Sequence, residues 1–147
     1  MKKEAYTMIA SLVLVGSMAV AAQSQSASHT EIRANIPFEF NVGNKTLAAG
    51  EYTIRQVNPS CDVVILEIRN ARSGDNVLLR VSTTQMGTAN SSTVAFKRYG
   101  THYFFSTAKI EGLADAWQAP KSRAERGIER ELAALKANRE LVTIAAR

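Results

Sequence analysis

Ile32, Ala34, Ile36, Phe38, Phe40 and Val42 occupy alternate positions, with Arg33, Asn35, Glu39 and Asn41 between them. A period of two sets one face of a strand on a core and the other in water. Pro37 lies in the outward set, and without an N–H it predicts an edge strand or a break in pairing. Gly43-Asn44 then supplies residues that tolerate positive φ, as a tight hairpin requires. Lys45-Thr46-Leu47 is long enough only for a short return. Ala49-Gly50 makes a second turn, and Tyr52 and Ile54 restart the alternation. The glycines of this stretch do not form a phosphate loop, because no Lys-Ser/Thr pair and no helical pattern follow Gly50.

The same grammar continues down the chain. Val63 to Ile68 is apolar on both faces at first, which predicts a central strand. Ser73-Gly74-Asp75-Asn76 is a turn cluster. Val77, Leu79, Val81 and Thr83 form the next inward set, with Arg80 and Ser82 outward. A polar loop spans Gly87 to Ser92. Another hairpin follows, with Val94 and Phe96 before its bend at Gly100 and Tyr103, Phe104 and Phe105 after it. Leu113 to Pro120 is expected to be a loop or a short helical turn.

Ser122-Arg123-Ala124-Glu125 has the spacing of a capping box, in which Glu125 reaches back to the start of the helix. Ile128, Leu132 and Leu135 then recur at helical spacing, which predicts an amphipathic helix over about 121–138 despite Gly127. Residues 140–146 fit a last strand, through Val142, Thr143 and Ile144, or a continuation of the helix. The expected fold is mostly β: an antiparallel sandwich or small barrel of about six to seven strands, with one C-terminal helix over an edge or an open end.

The chain has 147 residues, which sets one domain as the default. Its first residues read differently from the rest. Lys2 and Lys3 precede an apolar run from Met8 to Ala22 that ends in small residues, the layout of a secretory signal peptide over 1–22. The run is shorter than the roughly 20 residues a membrane-spanning helix needs. Residues 23–30 are small and polar and suit a flexible lead to a single domain over 31–147. The expected location is the periplasm or the extracellular space, with no stable membrane span after cleavage. Cys61 is the only cysteine, so no intramolecular disulfide forms and the domain must rely on packing.

The net charge of +5 is modest and dispersed, with Arg55, Arg69, Arg80 and Arg98 on separate strand-like segments. Nucleic-acid binding usually needs a concentrated basic face, so it is not expected. The best case for chemistry is Lys97 to Tyr103, where Lys97, Arg98, Tyr99, His102 and Tyr103 surround a bend. His102 is a candidate base or metal ligand but stands alone. Arg98 could clamp an anion, but pairing with Glu125 or Glu129 to dock the helix is the preferred reading. Glu39 and Glu51 read as outward and solvated, which weakens a carboxylate-pair mechanism. No Gly-x-Ser-x-Gly, His-Glu-x-x-His or Walker loop is present. No metal, cofactor or catalytic residue is assigned. The aromatic group of Phe96, Tyr99, Tyr103, Phe104, Phe105 and Trp117 reads first as core, and otherwise as a cavity lining or a partner contact. "YFF" would place a ring on each face and so expose at least one.

Three blocks taken together, "IPFEFNVGNKTLAAGEY", "FKRYGTHYFFS" and "SRAER", resemble in the same order those of a family of small secreted proteins of unknown function from acidobacteria. Where that family usually carries Leu-Pro-Ala-Gly-x-Tyr, this chain has Ala48 for the Pro. The resemblance implies an exported β-rich domain and brings no activity or cofactor. The expected function is therefore a non-enzymatic binding or structural module. Arg98, Tyr99, His102, Tyr103 and Phe104 are its candidate contacts with an envelope protein, a polysaccharide or a small apolar ligand. A carrier of an apolar ligand and a hydrolase-type enzyme are the alternatives.

Overall fold

The structure, a computed structural model, describes residues 30–134 and 139–147. The signal peptide expected over 1–22 and nearly all of the lead lie outside these residues. Among the described residues, ten strands and one helix follow one another. They are β1 (Glu31–Ile36), β2 (Phe40–Val42), β3 (Lys45–Leu47), β4 (Gly50–Gln56), β5 (Val64–Asn70), β6 (Asn76–Gln85), β7 (Thr93–Tyr99), β8 (His102–Lys109), β9 (Asp115–Gln118), α1 (Arg123–Ala134) and β10 (Arg139–Ala145). The fold is mostly β with a single C-terminal helix, as the alternation predicts. Strands outnumber the expected six to seven because β2, β3 and β9 are short.

All ten strands belong to one sheet, ordered β1-β4-β5-β6-β9-β8-β2-β3, with β7 on β8 and β10 on β7. Every pairing between these strands is antiparallel except that of β2 with β8, where Asn41 lies opposite Phe104. The sheet does not close completely. Its edges β1 and β10 meet only at one end, through an Ala34–Ala146 bridge. There Arg33 N donates to Arg147 O at 2.6 Å and Arg147 N donates to Arg33 O at 3.0 Å. The inward faces meet in one core, a sandwich-like arrangement.

That core is built from the alternating sets. Ile32, Ala34 and Ile36 of β1, Phe40 and Val42 of β2, Tyr52 and Ile54 of β4, Leu66 and Ile68 of β5 and Phe96 of β7 are all buried. Phe40 packs edge to face on both Tyr52 and Phe96, and Phe96 likewise on Phe105. Offset and edge contacts of this kind add to the area the rings bury. Pro37 breaks the first run as expected, since β1 ends at Ile36 and β2 begins at Phe40. The hairpin after Val42 turns through Gly43 at φ 60°, where a side chain is strained.

Four expectations need correction. Asp115–Gln118 is a strand, not a loop or helical turn, and lies between β6 and β8. Thr83 is exposed rather than inward, because β6 changes partner from β5 to β9 after Val81. Phe104 and Phe105 do lie on opposite faces, yet both are buried and Tyr103 is half-buried, because the face that carries Phe104 and Tyr99 is covered by α1 while Phe105 enters the core. Finally, α1 lies mainly against β7, one strand in from the edge, and reaches the edge strand β10 through Glu129 and Arg139 at 3.8 Å. Residues 139–145 are a strand paired with β7 along its whole length, and the expected helix past Ala134 falls outside the described residues.

Candidate functional site

β7 and β8 carry the sequence-predicted residues on opposite faces. The cross-strand pairs Lys97–Phe104 and Tyr99–His102 share one face, and Phe96–Phe105 and Arg98–Tyr103 share the other. The first of these faces meets α1. Tyr99 and Glu125 are each 2 % exposed, and the Tyr99 hydroxyl donates to Glu125 Oε1 at 3.1 Å. Lys97 Nζ donates to the same oxygen at 3.4 Å. Ser122 Oγ accepts from the Glu125 N–H at 3.0 Å, so Ser122 caps the helix as its sequence predicts. The Glu125 carboxylate, however, faces the sheet rather than reaching back to complete a capping box. The helix is docked by a buried carboxylate, and its apolar Ile128 and Leu132 are only half-buried.

Docking was expected from Arg98. It falls instead to Lys97, because adjacent residues of a strand point to opposite faces. Arg98 bonds Gly100 O at 2.9 Å and Glu140 of β10 at 3.2 Å, and its guanidinium lies 5.7 Å from the Tyr103 ring centroid. Tyr103 stacks on Phe38 with centroids 3.9 Å apart. Phe104 packs edge to face on Tyr99. His102 is exposed beside the bend. Of the five candidate contacts, Tyr99 and Phe104 are thus turned into the helix–sheet contact, Arg98 and Tyr103 are partly covered, and His102 alone is fully at the surface. Glu39 and Glu51 are both exposed.

The electrostatics follow from this burial. Burial pushes the Tyr99 phenol up to about 12, and the Glu125 charge adds to the shift. A tyrosine used as a base or nucleophile needs the opposite displacement, toward the working pH. One turn along α1 from Glu125, Glu129 has both carboxylate oxygens 2.7 Å from Lys121 Nζ, which holds that carboxyl below its ordinary range. A second buried carboxylate, Glu67, accepts from Asn76 Nδ2 at 3.0 Å and from Arg55 Nε at 2.6 Å. Asn76 foremost, then Arg55, holds it below the usual carboxylate value. Among the described residues, no buried side-chain nitrogen or oxygen lacks a partner, and no group of three or more His, Cys, Asp or Glu could hold a metal ion.

Sequence reasoning could have found Glu125 from the capping spacing. Lys97 as its partner required knowing which face of β7 the helix covers. Comparison with protein-family models, with curated proteins and with solved structures returned no match.

Proposed function

We propose that the protein is an exported, non-enzymatic binding or structural module of the cell envelope or extracellular space. The observation that carries this reading is the use made of its buried polar groups. Glu125, Tyr99 and Lys97 hold α1 against β7, and Glu67 ties β4, β5 and β6 together through Arg55 and Asn76. Among the described residues, the one strongly shifted side chain, Tyr99, is shifted away from neutral pH. The leader-like first residues and the likeness of the three sequence blocks to small exported proteins point the same way. The interlocked rings of Phe40, Tyr52, Phe96 and Phe105 favour a module over a carrier of an apolar ligand, because they fill the interior they would otherwise line.

Native mass spectrometry of the protein from its host's envelope fraction, beside the same chain refolded from denaturant, tests the reading. The module predicts the chain mass or a multiple of it in both samples, with partners recovered only as separate macromolecules. A reproducible small added mass that disappears on refolding would replace the module with the carrier.

A further inference from the structure

The segment that opens the domain lines two adjoining grooves at the closing end of the sheet, of about 600 Å³ and about 250 Å³. Asn35, Glu51 and Arg147 line both, so the two form one elongated depression along the β1–β10 junction. The larger is within the size range of ligand sites. Its floor includes Ile36 and Gly50, which face each other across β1 and β4. Its wall is the β5–β6 turn, held by Asn70 Oδ1, which accepts from the N–H groups of Arg72 and Ser73 at 2.9 and 3.0 Å. Glu51 O accepts from Ala71 N at 2.9 Å and ties that wall to β4.

Two arginines line this depression without engagement elsewhere. Among the described residues, neither the Arg72 nor the Arg147 side chain has a hydrogen bond or ion pair; Arg69, Arg80, Arg123 and Arg130 share that state, but none of them lines this depression. Arginine presents a planar fork that matches a carboxylate at two points. The Asn35 amide and the Glu51 carboxylate are also unengaged there, and Asn70 Nδ2 is free to donate. These groups suit hydroxyls. No aromatic ring lines either groove, so neither stacked bases nor a neutral sugar face finds a platform. Glu51 further disfavours a dense polyphosphate.

We infer that this depression binds an acidic oligosaccharide, with Arg72 and Arg147 on sugar carboxylates and Asn35, Asn70 and Glu51 on hydroxyls. The inference rests on the binding-module reading and names its ligand class. The test is an amide NMR titration of the full chain with a hexamer of galacturonic acid, beside maltohexaose and a single-stranded DNA oligonucleotide. Shifts are expected at Asn35, Glu51, Asn70 to Ser73 and Arg147 with the acidic hexamer. Arg72→Gln and Arg147→Gln should each raise its Kd about fivefold or more, the loss expected for a charged two-point contact, and Lys109→Gln should leave it within about twofold. Both arginines are exposed, so the variants keep the fold, which their spectra report directly.

Silence of these amides at millimolar hexamer would overturn the inference. So would equal weakening by Lys109→Gln, equal binding of maltohexaose, or tighter binding of the DNA at the same residues. None of these touches the module reading. Cleavage of the bound hexamer would do the reverse, sustaining the site while removing the non-enzymatic assignment.

Discussion

Tyr99 of β7 and Glu125 of α1 meet at 3.1 Å with both side chains shut away from water. The contact makes a carboxylate the most buried residue of an amphipathic helix. Removing one partner leaves the other buried and unsatisfied, which costs about 1–3 kcal/mol. Glu125→Ala should therefore lose about 2–3 kcal/mol. Tyr99→Phe should lose about 1 kcal/mol, since Lys97 still serves the carboxylate. Urea midpoints of the two variants and of the double variant check this. Strict additivity would mean that the pair is not coupled.

The same pair sets an alkaline limit. The folded-state Tyr99 value of about 12 stands above its ordinary 10, so the folded chain keeps this proton longer than the unfolded chain. Its contribution is fully present below 10 and is lost as pH rises from 10 toward 12. The slope approaches about 1.4 kcal/mol per pH unit within that window. Urea melts of wild type and Tyr99→Phe across the window should converge, because the variant has no phenol to titrate there.

Glu67 acts at the acid end. Asn76 and Arg55 hold its carboxyl below the ordinary 4.5, so its contribution is complete above that value and is lost as pH falls through the lowered one. Glu67→Gln should be less stable than wild type near neutrality. It should also lose less further stability between about pH 5 and about pH 2. Thermal melts across that range decide it, and parallel pH profiles would show that the two bonds to Glu67 contribute nothing.

Two glycines should respond with opposite signs. Gly43 has φ 60° in the β2–β3 turn, so Gly43→Ala should destabilise by about 1 kcal/mol and Gly43→Asn by less. Gly127 lies in α1 with open space around the site of a Cβ, so Gly127→Ala should stabilise by about 0.5–1 kcal/mol. Denaturant midpoints separate the cases, and a stabilised Gly43→Ala would contradict the assigned turn.

The β character was legible because it depends on nearest alternation and on turns. Ile32 to Val42, the Gly43 turn and the Gly100 bend all fall where their residues place them. The missed strand β9 has its two buried residues, Ala116 and Trp117, side by side instead of alternating. Its strand state comes from lying between β6 and β8, which no local pattern encodes. Residues 139–145 were ambiguous for the same reason, and pairing with β7 decides them. The docking cation was misplaced by one residue, the smallest error that reverses a side chain's face. The acidic-sugar groove was not legible at all. Asn35, Glu51, Arg72 and Arg147 come from four separate segments, which the β1–β4 pairing, the β5–β6 turn and the β1–β10 junction bring together.

The reciprocal bonds between Arg33 and Arg147 also order events in time. They join the first strand to the last residues of the described chain, the longest loop the sheet must close. Such contacts form late, because the entropy of closing the loop is lost before any bonding is gained. β1 can pair with β4 early, yet the end of its other edge that meets the last residues must wait until Arg147 is in place. A chain in which β10 has not yet formed therefore carries an open margin along β1.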